Sequence, residues 1–478
     1  MQNSRCQLKK YWSIFCILTL TPFLLWATIP IVPTFDDWTS LTSPSFEELF
    51  TKEHWLFFGY HWRPFDSLFG YLLGLNPQLL FPTLNHCCVV VGHVLCSLLV
   101  FRILTTLQFN NTAVNISTLF FFITPAAMAT VLAVDSMNQT YALFWGLLSF
   151  LLYIQLKKLK YAVWIILIFI ATLCKENGLM WALIGPLLAF GFNIIDQRTL
   201  KKDIIVAVSV IVGYALAILL LPKDIIIHPE YEPGIMKTMG NVVKFVFTTF
   251  IHTDYIYLLH QPHRNLLLAG ILFLLAVPFF YHVFVAPFRM YVSKKMICTV
   301  LCLLIAVGPH LVTCYSMMHT YAGLSLVAVI MANGIQQHSE DRRKYLFTAF
   351  ALFLTSAFII NVHLWYESYK SGLTGKEMAV EAIKSTGKPV KKVLVVIIED
   401  DYPKLSSFCV IPCDAFGWGL AARQETNYQW PEIIEDTTIE RTTDAMIRAR
   451  QLSAELLGKQ KYDCVWIVNH TAIDVVKK

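Results

Sequence analysis

Charged residues are scarce in this 478-residue chain, making up 15% of it, while 56% of the residues are hydrophobic and the mean hydropathy is +0.56. Soluble domains carry about 25% charged residues, so the composition excludes an ordinary soluble globular protein. Apolar runs of roughly 20 residues, each long enough to cross a bilayer as a helix, recur along most of the chain. The sequence therefore predicts a polytopic membrane protein.

Motifs of several soluble functions are also missing. No glycine-rich loop precedes a helix as in nucleotide-binding sites, and no Cys/His spacing is typical of a zinc site. Most of the 12 cysteines lie in apolar runs, where they behave as small hydrophobic residues. Cys409, Cys413 and Cys464 lie in the polar C-terminal part and would pair only in an oxidising compartment. The net charge of +6 comes largely from short loops, so it reports topology and does not indicate nucleic-acid binding.

Eleven apolar segments are predicted to span the membrane. They cover residues 11–31, 80–104, 112–134, 138–156, 160–174, 177–193, 203–222, 265–287, 293–313, 319–337 and 344–366. The first follows a basic N-terminus without a small-residue cleavage site and is expected to be a retained signal anchor. Pro125 is expected to break the third segment into two pieces.

The predicted fold class is a polytopic all-α transmembrane domain with a small C-terminal α/β soluble domain. The transmembrane domain covers residues 1–369, with outer loops at 32–79 and 223–264, and the soluble domain covers 370–478. The second loop is too polar to cross but is amphipathic around Gly234–His260. In the soluble domain, Lys391–Ile398 and Tyr462–Val468 are typical of buried strands, and Thr442–Leu457 has helical spacing.

Lysine and arginine are concentrated in alternate loops, which predicts the orientation. With a cytoplasmic N-terminus, the basic loops carry Arg5, Lys9, Lys10, Arg102, Lys157, Lys158, Lys160, Arg198, Lys201, Lys202, Arg289, Lys294, Lys295, Arg342, Arg343 and Lys344. An odd number of spans then places residues 370–478 outside, on the same side as loop 32–79.

With this topology, the polar residues that are unusual for a membrane chain collect on the outer side. They are Asp36, Asp37, Arg63, Asp135, Lys175, Glu176, His310 and His319. Charge near the membrane is costly unless it is solvated, paired or used. We therefore expect these residues to line one cavity at the outer membrane surface.

The order of these motifs resembles the membrane part of GT-C glycosyltransferases, and especially the transmembrane-and-TPR O-mannosyltransferase branch and its bacterial relatives. The matching pieces are Phe35-Asp36-Asp37, Trp62-Arg63-Pro64-Phe65, Gly74-Leu75-Asn76-Pro77, His86 with His93, and Cys174-Lys175-Glu176-Asn177-Gly178. The resemblance covers residues 10–190 well and 190–366 only in its pattern of spans. The chain has no TPR repeats, and its C-terminal part matches no domain of that family.

The resemblance implies transfer of a sugar from a polyprenyl-phosphate donor to a lipid, glycan or protein acceptor at the outer face, with inversion. Asp36 would be the general base, and Asp37 beside it would raise one pKa of the pair or orient the acceptor. Arg63 and Lys175 would stabilise the leaving phosphate, with His310 and His319 as lesser donors. Glu176 would hold Lys175 in place. No metal is required, although the aspartate pair leaves a divalent metal possible.

Structural alternatives stay open for each of these residues. Asp36 and Asp37 can cap a helix or solvate the loop, Arg63 can reach lipid headgroups, and Lys175 with Glu176 can form a loop ion pair. Asp135 is first a turn residue at the membrane edge. His86 and His93 are seven residues apart on one helix face, which favours interhelical hydrogen bonds over substrate contact.

Two other classes of function compete with a transferase. A transporter or lipid flippase would place charges at mid-membrane and often contains inverted repeats, and neither is found in this sequence. A catalytically inactive scaffold with the same fold is the third possibility. A bacterial cytoplasmic membrane is favoured over the endoplasmic reticulum because the C-terminal part is short and no retention signal ends the sequence.

Overall fold

The structure, a computed structural model, describes most of the chain as helices with one small sheet near the C-terminus. The described residues are 2–32, 46–47, 49, 64–65, 68, 71, 83–134, 136–156, 158–220, 232–251, 263–287, 293–313, 315–399, 412–427 and 429–477.

Helices occupy parts of all eleven segments that the sequence predicts to be spans. In chain order they are α1 (Gln2–Thr28), α2 (Thr83–Thr106), α3 (Asn111–Ile123), α4 (Pro125–Val131), α5 (Met137–Gln155), α6 (Lys160–Cys174), α7 (Trp181–Gly191), α8 (Gln197–Leu220), α9 (Ile235–Val246), α10 (His263–Phe280), α11 (Lys294–Val312), α12 (Thr320–Gln336) and α13 (Glu340–Thr386). Short π-helical segments, Phe247–Ile251 and Tyr281–Val285, extend α9 and α10.

Five helices in the described part of the chain are long and apolar enough to cross a membrane. Their apolar stretches are Tyr11–Thr28, His86–Thr106, Lys294–Val312, Met317–Gln336 and Lys344–Thr386. Together with the composition, they identify a membrane protein. The full count of eleven crossings stays a prediction.

Pro125 interrupts the third predicted span, as the sequence indicates. Thr124 has non-helical dihedral angles (φ −59°, ψ 136°) between α3 and α4, and Pro125 then occupies the first position of α4. Proline fits there because the first turn of a helix needs no N–H partner. Asn110 caps the start of α3 by accepting a 2.9 Å hydrogen bond from the Ala113 N–H. The predicted break is confirmed.

Contacts between helix ends define two faces of the bundle. On the basic face, Asp203 is fully buried at the start of α8 and accepts hydrogen bonds from the Tyr161 hydroxyl (2.7 Å) and the Lys160 ammonium (3.4 Å). On the same face, the Lys294 ammonium at the start of α11 donates to the Asn193 side chain (2.9 Å) after α7. The turns that follow α4, α6 and α11 therefore lie on the opposite face.

The 47-residue helix α13 passes out of the bundle without a break at the predicted boundary between residues 369 and 370. At 1.5 Å per residue it is about 70 Å long, which is more than twice the hydrocarbon thickness of a bilayer. The Trp365 indole N–H donates to the Ala27 carbonyl (2.7 Å), and a Cβ atom on Gly372 would lie 2.6 Å from the Val32 carbonyl oxygen. These contacts hold the end of α1 against the middle of α13.

The C-terminal residues form the predicted α/β unit around a four-stranded sheet. Its elements are β1 (Lys392–Ile398), α14 (Pro412–Ala415), α15 (Ala421–Glu425), β2 (Ile433–Ile439), α16 (Ala445–Gly458), β3 (Cys464–Asn469) and β4 (Ala472–Lys477). The strand order is β2-β1-β3-β4, with β2 and β3 parallel to β1 and β4 antiparallel to β3. Six of the seven β1 residues are buried because helices cover both faces, which explains the continuous apolar run.

The parallel strands run back along α13, towards the membrane part. The Trp466 indole N–H donates to the Thr386 hydroxyl (2.9 Å) near the end of α13. Lys477 is paired with the first residue of β3, and its ammonium would lie 3.9 Å from a Cβ atom placed on Gly387. The strands therefore begin at the far end of α13, and Val32, which follows α1, packs against the core between α13 and the sheet.

Candidate functional site

Three turns on the face opposite the basic loops are joined by polar contacts. They lie between α4 and α5, between α6 and α7, and between α11 and α12. We call five of the side chains in these contacts, together with the buried Lys175 whose backbone forms one of the turns, the polar-turn cluster: Ser136, Gln139, Lys175, Asn177, His310 and His319.

Lys175 links α6 to a short 3₁₀ helix, Glu176–Met180, and is extended there (φ −158°, ψ 143°). Its N–H donates to the Ala171 carbonyl (3.1 Å), and its own carbonyl accepts from the Gly178 N–H (2.8 Å). A Cβ atom on Gly178 would lie 2.4 Å from the Ala171 carbonyl, so only glycine permits this close turn. Gly178 of the Lys-Glu-Asn-Gly motif is thus required by the backbone of this turn.

The two charged residues of this turn have opposite environments. Lys175 is 8% exposed, whereas the Glu176 side chain is exposed. A lysine is almost never this buried in a protein without a specific role or partner. The Lys175 side chain is therefore buried at this turn, and the Glu176 side chain is accessible at the same turn.

Gln139 connects the Lys175 turn to the first turn of α5. Its side-chain oxygen accepts a 3.1 Å hydrogen bond from the Asn177 amide, and the residue is 2% exposed. The Gln139 Nε2 donor makes no hydrogen bond with any residue that the structure describes. An unsatisfied buried donor costs about 1–3 kcal/mol, so this amide is placed where an oxygen of a bound molecule would be favourable.

The same end of α5 contacts the turn before α12. The Ser136 hydroxyl donates to the Met318 sulfur at 2.8 Å. Met318 belongs to a short 3₁₀ helix, Met317–His319, that leads into α12. His319, which follows Met318, therefore lies beside the turn between α4 and α5.

His310 and His319 stack face to face, with ring centroids 4.0 Å apart and planes tilted by 11°. The Ser316 N–H donates to His319 Nδ1 (2.9 Å), which makes Nδ1 an acceptor and places the ring proton of neutral His319 on Nε2. Both rings are half-buried. The pair can offer N–H donors at the cluster.

The predicted site residues divide into two groups. Lys175, Glu176, His310 and His319 lie at the described turns. Asp36, Asp37, Arg63 and Asp135 lie outside the described residues, and their convergence on the cluster stays a prediction.

His93 forms interhelical hydrogen bonds, as its seven-residue spacing from His86 predicts. Its two ring nitrogens lie 2.9 Å from the Tyr321 hydroxyl and 2.9 Å from the Phe122 carbonyl oxygen. These bonds join α2 to α12 and α3, so the predicted interhelical hydrogen bonding of His93 is confirmed. His86 is fully buried near the backbone of Ile31, which places the start of α2 beside the end of α1.

Sequence reasoning missed Ser136 and Gln139 as members of the cluster. Their signal is the polar run Ser136-Met137-Asn138-Gln139-Thr140 at the start of an otherwise apolar helix. Within the described part of the chain, no group of three or more His, Cys, Asp or Glu side chains is arranged to hold a metal ion. The predicted metal possibility concerns Asp36 and Asp37, which lie outside that part.

Comparisons with known proteins identify no family for this chain. No protein-family profile matches the sequence, and no curated protein matches it. Among solved structures, the chain is similar to the oligosaccharyltransferase of Archaeoglobus fulgidus, tethered by a disulfide bond to an acceptor peptide containing the NVT sequon. The match has 12% identity and a TM-score of 0.44, covering 97% of this chain and 69% of the other. A TM-score this low does not establish a shared fold, so the family assignment stays a prediction from the motifs.

Proposed function

We propose that this chain is an integral membrane glycosyltransferase of the GT-C type that moves a sugar from a polyprenyl-phosphate-linked donor to an acceptor. The observation that carries the proposal is the joining of three turns, including the buried Lys175, into one polar cluster on the face opposite the basic loops. That face is the outer one under the positive-inside rule. The predicted topology puts Asp36, Asp37, Arg63 and Asp135 on the same side.

In this mechanism Asp36 accepts the proton of the acceptor hydroxyl as it attacks the anomeric carbon with inversion. A positioned carboxylate base typically accelerates such a step by about 10²–10⁴-fold. Asp37 orients the acceptor beside it. Val32, which follows α1 and precedes Asp36 by four residues, is held against Gly372 of α13, and this contact fixes where the segment begins.

Cations stabilise the negative charge that grows on the leaving lipid phosphate. Lys175 supplies a buried point charge, Arg63 supplies a bidentate fork, and the stacked His310 and His319 offer neutral donors. The unsatisfied Gln139 amide is a further donor for a phosphate or sugar oxygen. These groups need no metal to do this work.

The C-terminal domain is proposed to contribute to acceptor binding. In sheets with this strand order, ligands bind outside the carboxyl ends of the strands where the connections diverge, here between β1 and β3. The Arg441 guanidinium bridges those ends by donating to the Glu399 carbonyl (2.7 Å) and to the Asn469 side chain (3.1 Å). Because Val32, four residues before Asp36, packs against the core of this domain, an acceptor bound by the domain would lie on the side of the membrane where loop 32–79 is predicted. We place the protein in a bacterial cytoplasmic membrane with this domain outside.

The test measures sugar transfer from polyprenyl-phosphate sugars in proteoliposomes, comparing the wild type with Asp36→Ala and Asp37→Ala. We expect a loss of about 10²-fold or more for Asp36→Ala, the loss typical of removing a general base. Full transfer by both variants would refute the base assignment. Lipid movement across the bilayer without any transfer would favour the transporter alternative, and neither activity would favour an inactive scaffold.

A further inference from the structure

One face of α9 and its π-helical extension carries large apolar side chains that no other part of the described chain covers. Ile235 is 83% exposed, Met236 79% and Met239 59%. Val242, Val243 and Val246 continue the same stripe one and two turns further on and are also exposed. We call these six residues the apolar stripe. Such a continuous stripe is typical of a surface that contacts a membrane or a partner.

The other face of α9 is fixed to the bundle. The buried Asn241 side chain donates to the Leu311 carbonyl (2.9 Å) and the Thr313 carbonyl (3.4 Å) at the end of α11. The last carbonyls of a helix lack partners within it, so Asn241 satisfies groups that would otherwise be exposed. Phe245 packs edge-on against Tyr315, with ring centroids 6.3 Å apart. This attachment sets the rotation of α9 and directs the apolar stripe away from the described part of the bundle.

The segment also descends into the bundle. Thr249 is fully buried, and Phe250 packs edge-on against Phe280 (5.9 Å) and Phe284 (5.0 Å) of α10 and its extension. Asn241 contacts the C-terminal end of α11, and the two lysines of α11 are at its other end. The nine residues from Asn241 to Phe250 cover about 14 Å along the helix axis. The segment therefore starts at the face of the polar-turn cluster and ends within membrane depth.

A lysine accompanies this apolar surface. Lys244 is half-buried, and on the helical wheel it lies between Asn241 and the apolar stripe. It follows Asn241 by three residues, so it lies less than one helical turn deeper than the end of α11. An ammonium at this depth is costly unless it reaches the headgroup region or an anion. An apolar stripe with a lysine at its edge, at the membrane boundary, matches a lipid that has a hydrocarbon tail and a phosphate headgroup.

We propose that the segment Ile235–Ile251 is a lipid-binding element: the hydrocarbon tail of a phosphate-headed lipid lies along the apolar stripe, and Lys244 binds its phosphate. This binding requires no transfer reaction. It also does not depend on the roles proposed for Asp36 or Lys175. The element lies directly beside the histidine pair, since Phe245 packs on Tyr315, whose ring lies 6.5 Å from that of His319.

The first experiment maps the occupant of the stripe by photo-cross-linking in the full chain, reconstituted in phosphatidylglycerol vesicles. Benzoylphenylalanine in place of Met239 is expected to cross-link to lipid acyl chains, as read by mass spectrometry. The matched control replaces Phe245, on the buried face of the same helix, and is expected to cross-link to the 311–321 region of the chain. Cross-linking of the Met239 variant only to polypeptide would overturn the proposal, either within the chain or to a second copy.

The second experiment tests the phosphate contact by native mass spectrometry of phosphatidylglycerol retained after detergent extraction. Lys244→Met keeps the length of the side chain but removes its charge, and one lysine near the headgroups is worth about fivefold in binding. We therefore expect about fivefold weaker retention for Lys244→Met and no change for Lys388→Met, an exposed lysine beyond the far end of α13. Equal retention by Lys244→Met and the wild type would overturn the assignment of Lys244.

Discussion

Replacing Lys175 tests the centre of the proposed site. Lys175 is 8% exposed, so its charge acts in a partly desolvated environment. At an effective dielectric constant of about 20, a cation about 4 Å from a phosphate contributes roughly 4 kcal/mol. Each 1.36 kcal/mol is tenfold in rate, so complete loss of the contact corresponds to about 10³ in kcat. Removing one donor to a developing oxyanion costs about 10²–10³ in comparable enzymes.

We therefore expect Lys175→Met to lower kcat for transfer by about 10²–10³-fold while the protein remains folded. Methionine has a similar length and no charge, so burying it should not reduce the thermal stability of the detergent-solubilised protein. Lys175→Arg keeps the charge but places it with a different geometry, so its kcat should lie between those of Lys175→Met and the wild type. The control is Lys158→Met, an exposed lysine on the basic face, which should transfer at the wild-type rate. A Lys175→Met rate within about threefold of the wild type would show that this lysine does not stabilise the transition state.

Three further predictions concern the turns and the soluble domain. Gly178→Ala places a methyl group 2.4 Å from a backbone carbonyl, so the turn must shift and both melting temperature and transfer rate should fall; unchanged values would mean that the turn is not so close. His319→Ala removes the acceptor of the Ser316 N–H (2.9 Å) and should cost about 1–3 kcal/mol in stability, measured by chemical denaturation, whereas His319→Gln should restore part of it. Hydrogen bonds from Lys392 and Tyr462 lower the pKa of Glu435, so its contribution to stability is present at neutral pH and is lost as the pH falls through and below the ordinary carboxyl range. Because Glu435 is 42% exposed, Glu435→Gln should destabilise the domain at pH 7 by less than about 1 kcal/mol and have no effect at pH 2; an equal effect at both would refute the ionic origin.

The parts of the fold that follow from local rules were predictable from the sequence. Pro125 cannot continue a helix, and the apolar run before Glu399 needs a face-covered strand, so the break at Thr124 and the strand β1 both occur where the pattern places them. The spacing of His93 places it on a buried helix face, and its hydrogen bonds to α12 and α3 agree with that.

The parts that depend on packing between distant segments were not predictable. The polar composition of loop 223–264 argues against a span, but it does not indicate that Asn241 caps α11 and allows the segment to enter the bundle. The contact between Ser136 and Met318 joins residues 182 positions apart, and no periodicity in a single segment encodes it. The polar run 136–140 marks Gln139 as unusual, but its hydrogen bond with Asn177 and its unsatisfied donor depend on the packing of two separate turns.

The continuous helix α13 joins the membrane part of the chain to the C-terminal domain without a flexible linker. A flexible linker after the last span would let the C-terminal domain sample many positions, and the entropy of fixing it would oppose any shared site. Here the helix is unbroken from the bundle to Thr386, and Gly372 and Gly375 let α1 and the Ala415 carbonyl approach it within the space of a methyl group. Those contacts fix both the end of α1 and the sheet to one rigid element. Because α13 replaces a flexible linker, an acceptor bound by the C-terminal domain, as proposed, would not have to offset the entropy of fixing that domain relative to the bundle.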